Sequence, residues 1–297
     1  MTLTIATSLD QALEGLAAGA RPIAGGTDLV VGARQGKLSM PETMVAIDRL
    51  DELAQIDAGP THTSIGAGVT HARLMTDPVV VDNFTAIADA AALVGSPATR
   101  NVGTLGGNVM NGSPAMDTGA PLVVLDAVAQ LASTQGSRSV TMDELWNGPG
   151  TTSARPDELC TALTLPKHSG RTGSAYVRLE YRRAMEIAVV GAAAFVSLND
   201  DDTIGSVRVA LTAVAPTILE VTSLNGLAGQ RAQDAASAVA AIASEQASPI
   251  SDLRASDRYR RHSIGVMATR ALEAAARRAT GESIAVPVNR ALGIGAL

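Results

Sequence analysis

The sequence predicts an α+β fold in two parts, on three observations. The first half mixes short apolar strands with helical stretches and carries two Gly-Gly loops. The second half runs three strands in succession and then two long helical stretches, the pattern of a small antiparallel sheet packed on a helical layer. The 297 residues are 46% hydrophobic and 18% charged, which supplies a core for each part and argues against disorder.

Taken in order, Ser8 opens a helix: Ser8 and Gln11 have capping-box spacing, Leu9, Leu13 and Leu16 line one face, and Gly19 stops it. A short strand over 21–24 runs into Gly25-Gly26-Thr27-Asp28, and a second helix begins near Leu29. Short strands follow over 44–47, 54–57 and 64–69. Thr70 caps a helix running toward Asp77-Pro78. Residues 84–94 form another helix, with Phe84, Ile87, Ala88 and Ala91 on one face. Residues 95–114, rich in glycine and asparagine, read as the least regular stretch, and such a segment inside a compact domain is usually functional. Alternation resumes over 128–132, and a strand over 159–165 follows the Gly148-Pro149-Gly150 turn. Residues 166–173 are polar and without period and mark the main boundary. Beyond it come strands over 175–182, 187–198 and 204–213, with a hairpin signal at Asn199-Asp-Asp-Asp202. Helical stretches over 224–244 and 259–280 close the chain.

A formal charge of −6 argues against a nucleic-acid partner. The single cysteine, Cys160, excludes an internal disulfide, an iron–sulfur cluster or a Cys-rich zinc site held by this chain alone. The first ten residues lack a basic region and an apolar stretch, and no run reaches about 18 apolar residues. The expected location is the cytoplasm, with no transmembrane segment.

The first glycine loop, Ile23-Ala-Gly-Gly-Thr-Asp-Leu29, joins a strand to a helix. Glycine tolerates positive φ and lets amides approach an anion with no Cβ in the way, and the helix N-terminus adds partial positive charge. The ligand this suits is a phosphate or pyrophosphate, with Thr27 as a hydroxyl donor. A tight turn with no ligand remains open here, because the spacing is neither Walker nor G-x-G-x-x-G. The second loop, Thr104-Leu-Gly-Gly-Asn108, repeats the chemistry, and Asp117 downstream is placed to accept from ribose hydroxyls. Two such loops suggest a dinucleotide diphosphate gripped from two sides; two unrelated turns are the alternative.

Ala24-Gly-Gly-Thr-Asp-Leu29 and Arg100-Asn-Val-Gly-Thr-Leu-Gly-Gly-Asn108 resemble the two flavin signatures of the FAD-binding (medium) subunit of molybdenum hydroxylases, the xanthine dehydrogenase and carbon monoxide dehydrogenase type. The resemblance continues through Ser113-Pro-Ala-Met-Asp117, Gly148-Pro-Gly-Thr-Thr152, Tyr181-Arg-Arg-Ala-Met-Glu-Ile-Ala188 and Asp252-Leu-Arg-Ala-Ser-Asp-Arg-Tyr-Arg-Arg261, covering nearly the whole chain in order. It implies a PCMH/VAO-like FAD-binding domain over 1–168, with subdomains of about 1–57 and 58–168. A C-terminal flavoprotein domain over 174–281 would hold a three-stranded antiparallel sheet and a helical bundle, followed by a tail over 282–297.

The resemblance also implies non-covalent FAD. Its diphosphate would lie between Ile23, Ala24, Gly25, Gly26, Thr27, Asp28 and Leu29 on one side and Thr104, Leu105, Gly106, Gly107 and Asn108 on the other. Asp117 matches the contact to the cofactor's hydroxyl-bearing part, Cys160 an apolar backbone contact near the flavin, and Arg178 a position where some members carry lysine near the ring. The implied partners are a large subunit with the molybdenum cofactor and a small subunit with two 2Fe-2S clusters, as a dimer of heterotrimers. Electrons would pass from those clusters through FAD to an external acceptor. Carbon monoxide-oxidising members usually carry His-Ser after the first Gly-Gly and Asp after the second. Thr27-Asp28 and Asn108 therefore favour a xanthine-, nicotinate- or other heterocycle-oxidising system.

No catalytic side chain and no metal site stand out. His62, His71, His168 and His262 are scattered and read as surface or loop residues. Tyr176 and Tyr181 either cover the flavin ring or pack as strand residues. Arg254, Arg258, Arg260 and Arg261 read as a solvated face or an internal salt-bridge set. A stand-alone FAD-dependent reductase and a structural subunit without cofactor are the competing readings.

Overall fold

The computed structural model describes residues 1–182 and 184–294. The chain opens with β1 (Thr2–Ile5), α1 (Leu9–Ala17), β2 (Arg21–Ile23), α2 (Thr27–Arg34) and β3 (Thr43–Ala46), and the strands form a parallel sheet in the order β1-β3-β2. Ser8 caps α1 as expected: its Oγ accepts from the Gln11 amide at 3.2 Å, and the Gln11 side chain accepts from the Thr7 amide at 2.7 Å. Leu13 and Leu16 bury against Val45 and Ile47, and Gly19 ends the helix at φ +89°.

A second sheet follows, built from β4 (Ile56–Ala58) and β5 (His62–Gly66) before a helical excursion. That excursion comprises α3 (His71–Leu74), α4 (Pro78–Asn83), α5 (Thr85–Leu93), α6 (Pro97–Val102), α7 (Leu105–Asn111) and α8 (Gly119–Val124). The chain then returns through β6 (Val128–Ser133), β7 (Gly136–Thr141), α9 (Met142–Leu145), the small hairpin β8 (Trp146–Gly148) and β9 (Thr151–Thr152), and β10 (Leu159–Pro166). The sheet is antiparallel in the order β4-β5-β10-β6-β7. The expectation of an irregular stretch over 95–114 is corrected: it holds α6 and α7. Each spans about two turns, too few for an apolar period to show. Their starts are set locally, by Ser96 Oγ accepting from the Thr99 amide and Thr104 Oγ1 from the Gly107 amide.

The C-terminal part has β11 (Thr172–Leu179), β12 (Val190–Leu198), β13 (Ile204–Thr212), β14 (Leu219–Val221), α10 (Ala232–Gln246), α11 (Asp257–Ala279) and the one-turn α12 (Val288–Ala291). Its antiparallel sheet has four strands, not the expected three. The extra strand, β14, is three residues long and leaves no alternation to read. The helical stretch expected from Leu224 starts at Ala232, because Gly229 turns the chain at φ +82°. The sheet is covered on both faces. Ala192, Ala194 and Val196 pack on α10 and α11, while Ala193, Phe195 and Tyr176 join the core of the N-terminal part. Two-sided burial explains why β12 reads as a continuous apolar run.

Asp89, fully buried on α5, locks the two parts together. It accepts from Arg278 of α11 at 2.6 and 3.0 Å, from the Val288 amide at 2.9 Å and from the Tyr176 amide at 3.2 Å.

Candidate functional site

The two glycine loops meet, but they are not equivalent. Gly26 caps α2 in the left-handed region at φ +67°. Among the described residues, none of the amides from Gly25 to Leu29 has a bonded acceptor. A run of free amides at the start of a helix is a concavity for an anion. The second loop has no such run. The amide of Leu105 donates to Val69 O at 2.9 Å, that of Gly106 to Ala67 O at 2.8 Å, and that of Asn108 to Thr104 O at 3.0 Å, while Gly107 uses Thr104 Oγ1 at 3.1 Å. The expectation that both loops present the same backbone chemistry is therefore corrected. The chain after β5 absorbs two of the second loop's donors, and Thr104 absorbs the other two.

The second loop contributes side chains and space instead. Thr104 Oγ1 spends a lone pair on Gly107, and its own hydrogen stays free to donate. Asn108 Oδ1 accepts from Thr118 Oγ1 at 2.6 Å, which leaves its amide group to donate. Gly107 is exposed, and a Cβ there would meet only Thr104 Oγ1, at 3.0 Å. Leu105 and Gly106 are buried beneath it. The loops join at Gly25, where a Cβ would stand 1.8 Å from Val102 O. Asn111 Nδ2 also donates to Asp28 Oδ1 at 3.2 Å. Burial pushes the Asp28 carboxyl above its usual range. Free amides, a missing Cβ and hydroxyl and amide donors opposite them fit a phosphate-bearing ligand.

Asp117 and Arg178 lie together in a sealed cluster. Asp117 accepts from Tyr176 Oη at 2.8 Å and from Arg178 Nη1 at 2.7 Å, and Arg178 Nε donates to Glu180 Oε2 at 2.8 Å. The Asn289 side chain clamps the Arg178 backbone from both sides, at 3.0 and 2.9 Å. Burial works against the Arg178 charge, but Asp117, Tyr176 and Glu180 outweigh it and raise its pKa. Burial raises Asp117 despite the cation and phenol beside it, and burial with the Asp117 charge pushes the Tyr176 phenol far up. Arg178 is 0% exposed with its charge matched by carboxylates, so it presents no surface to a ligand. Tyr176 is equally sealed and packs in the sheet. Tyr181 lies beyond the end of β11, 51% exposed, and donates to Arg254 O at 2.9 Å. Cys160 is buried in β10, and burial pushes its thiol up to about 12, so it is no nucleophile.

One buried residue beside the second loop was not legible as such. His71 is not on the surface but 2% exposed, at the first position of α3. Its amide donates to Gly103 O at 3.0 Å, between α6 and α7. Burial, with the Arg100 cation nearby, lowers its pKa to about 4. The only hint was its place, two residues after the run Ile65 to Val69. A histidine that titrates near 6.5 when unfolded and about 4 when folded takes up its proton preferentially on unfolding. Stability is therefore lost as pH falls from about 6.5 toward 4, by up to about 3 kcal/mol. Urea titrations at pH 7 and 4.5 are expected to show a drop that is smaller in His71→Gln.

The other histidines lie apart: His62 is exposed beside Thr61, and His168 stacks on Phe195 at 4.3 Å. His262 is exposed on α11. Arg260 is buried and bonds Asp252 at 2.7 Å and Ala213 O at 2.9 Å, an internal tie; Arg254, Arg258 and Arg261 are exposed, with Arg254 pairing with Asp252 and Arg261 donating to Ser244 O and Ala247 O at 2.8 and 3.0 Å. Among the described residues, no group of three His, Cys, Asp or Glu is arranged to hold a metal, and no helix is long and apolar enough to cross a membrane.

Comparison with known proteins gives this geometry its context. The FAD binding domain in molybdopterin dehydrogenase matches residues 1–168, and the CO dehydrogenase flavoprotein C-terminal domain matches residues 175–275. The carbon monoxide dehydrogenase medium chain of Hydrogenophaga pseudoflava is 32% identical over 264 residues, covering 88% of this chain and 90% of the relative. The xanthine dehydrogenase FAD-binding subunit of Escherichia coli O157:H7 is 30% identical over 271 residues, covering 89% and 91%. A solved carbon monoxide dehydrogenase from Hydrogenophaga pseudoflava superposes with a TM-score of 0.88 at 29% identity, over 94% of this chain and 98% of that one. Quinoline 2-oxidoreductase from Pseudomonas putida 86 gives 0.85 at 28%, over the same shares. Matched along both of its parts in sequence and in fold, the chain belongs to the family of FAD-binding subunits of the molybdopterin dehydrogenases, which are multi-subunit FAD-dependent oxidoreductases.

Proposed function

We propose that this chain binds FAD non-covalently and passes electrons from 2Fe-2S clusters on a small partner subunit to an external acceptor, while a large partner subunit with the molybdenum cofactor oxidises the substrate. The observation that carries the reading is the run of unbonded amides from Gly25 to Leu29, set against the second loop in a member of this family. Ile23 to Leu29 take the diphosphate through the backbone. Thr104, Gly107 and Asn108 take it through a hydroxyl, an open face and an amide, with Leu105 and Gly106 as their support. Bound FAD supplies the ability to accept electrons singly and release them as a pair. Asp117 and Arg178 act as a positioning pair that ties the segment after α7 to β11, and Cys160 packs behind the flavin end.

The lone buried thiol assigns the clusters to another chain. Thr27-Asp28 and Asn108 favour a heterocycle over carbon monoxide as the substrate of the assembly, proposed as a dimer of heterotrimers. A cytoplasmic location belongs to the same proposal.

The purified chain is expected to be yellow and to release FAD on denaturation; a colourless protein that ignores added FAD ends the reading. Gly107→Val places a branched side chain on the open face of the second loop. It should lose most of its flavin with the far-UV spectrum unchanged, and normal flavin content in that variant contradicts the loop assignment. Co-elution of the native protein with a large and a small chain separates this reading from a stand-alone reductase.

A further inference from the structure

The exposed apolar surface of the C-terminal part is gathered in one place. Among the described residues, its large exposed apolar side chains all fall in the segments 181–187 and 250–266. Tyr181 joins the two segments, its Oη donating to Arg254 O at 2.9 Å. Single exposed apolar residues are ordinary, whereas a contiguous set marks an interaction surface. Leu253 is fully exposed, on a turn that holds it out. Asp252 Oδ1 accepts from the amides of Arg254 and Ala255 at 2.8 and 3.2 Å and from Arg260 at 2.7 Å, and the Asp252 amide donates to Ala255 O at 3.0 Å. Little ordering is left for a partner to impose on such a turn.

The surface is also cationic. Residues 250–261 hold four arginines against two aspartates, in a chain whose net charge is −6. Asp252 is already paired with Arg254 and Arg260, while Arg258 and Arg261 are exposed. The same surface adjoins the second glycine loop. The Met185 amide donates to Gly95 O at 3.0 Å, and Thr99 Oγ1 lies 3.8 Å from Met185 Sδ. These contacts set 181–187 against the start of α6, which runs directly into that loop.

We infer that this surface is the docking site of the small 2Fe-2S subunit, with Leu253 seated in an apolar pocket of that subunit and the arginines facing carboxylates around it. This rests on the proposed electron path to FAD. Electron transfer through protein weakens steeply with distance, so the cluster carrier is the partner that must abut the FAD site. A 2Fe-2S cluster on four thiolates is an anion, and an arginine rim attracts and orients the subunit that carries it.

The test uses the native complex, isolated through a tag on this chain, with Leu253→p-benzoylphenylalanine as a photoreactive probe. Light is expected to join this chain to the cluster-bearing small chain, identified by mass. A cross-link to the large chain, to a second copy of this chain or to no chain overturns the inference. Leu253→Asp should weaken retention of the small chain about thirtyfold, the scale of a central interface residue, read as iron and acid-labile sulfide per flavin on dilution. Its FAD content and melting temperature as a separate chain should match wild type, because the side chain is fully exposed. Full retention of iron by Leu253→Asp also overturns the inference. A native protein without flavin, or without a cluster-bearing chain, defeats the proposed function itself. A complex that holds both flavin and clusters but cross-links elsewhere defeats only this surface.

Discussion

Replacing Asp89 by alanine is expected to destabilise the chain by about 3–5 kcal/mol, the cost of leaving a buried cation without its partner. The Arg278 side chain is only 7% exposed and aims both terminal nitrogens at this carboxylate, at 2.6 and 3.0 Å. The amides of Tyr176 and Val288 lose their acceptor as well. The four donors come from β11, α11 and the start of α12, so the damage falls on the seam between the two parts. Asp89→Asn keeps an acceptor oxygen but not the charge, and should lose less. Urea unfolding of the purified chain measures both. A loss below about 1 kcal/mol for the alanine variant, the level of an ordinary surface pair, contradicts the role assigned to this carboxylate.

Gly25→Ala is expected to cut FAD content to less than about a tenth and to lower stability by about 1–3 kcal/mol through forced overpacking. The new Cβ would stand 1.8 Å from Val102 O and 2.4 Å from its carbonyl carbon. Both atoms are backbone, so no rotamer change relieves the clash and the loops must part. Gly226→Ala is the control, since nothing lies within 4 Å of a Cβ there. Flavin absorbance per protein, measured beside thermal melting, checks the pair. Full flavin content in Gly25→Ala shows that close contact between the loops is not needed for binding.

The parts of the fold legible in the chain are those whose bonds close within a few residues. Ser8 and Gln11 announce α1, and the buried face of α5 is visible in Phe84, Ile87, Ala88 and Ala91. Thr70 sits where a helix starts, and the long β12 shows in its apolar run. The first glycine loop belongs with these, because its free amides follow from Gly26 in the left-handed region at the head of α2. Resemblance carried the family and the ligand, and the comparisons agree with it.

The second loop shows the limit of such reading. It shares Gly-Gly with the first, yet the amides of Leu105 and Gly106 are taken by Val69 and Ala67, far back along the chain, and those of Gly107 and Asn108 by Thr104. His71 looked like a surface residue because nothing near it in sequence tells that α6 and α7 close over it. Arg178 was expected near the flavin ring, but Asp117 reaches it across 61 residues and seals it, and Asp89 reaches Arg278 across 189. Helix caps, turns and apolar periods are written between neighbours, where chain entropy leaves few options. Which donors stay free, and which charges are neutralised, depends on partners delivered only when distant segments pack.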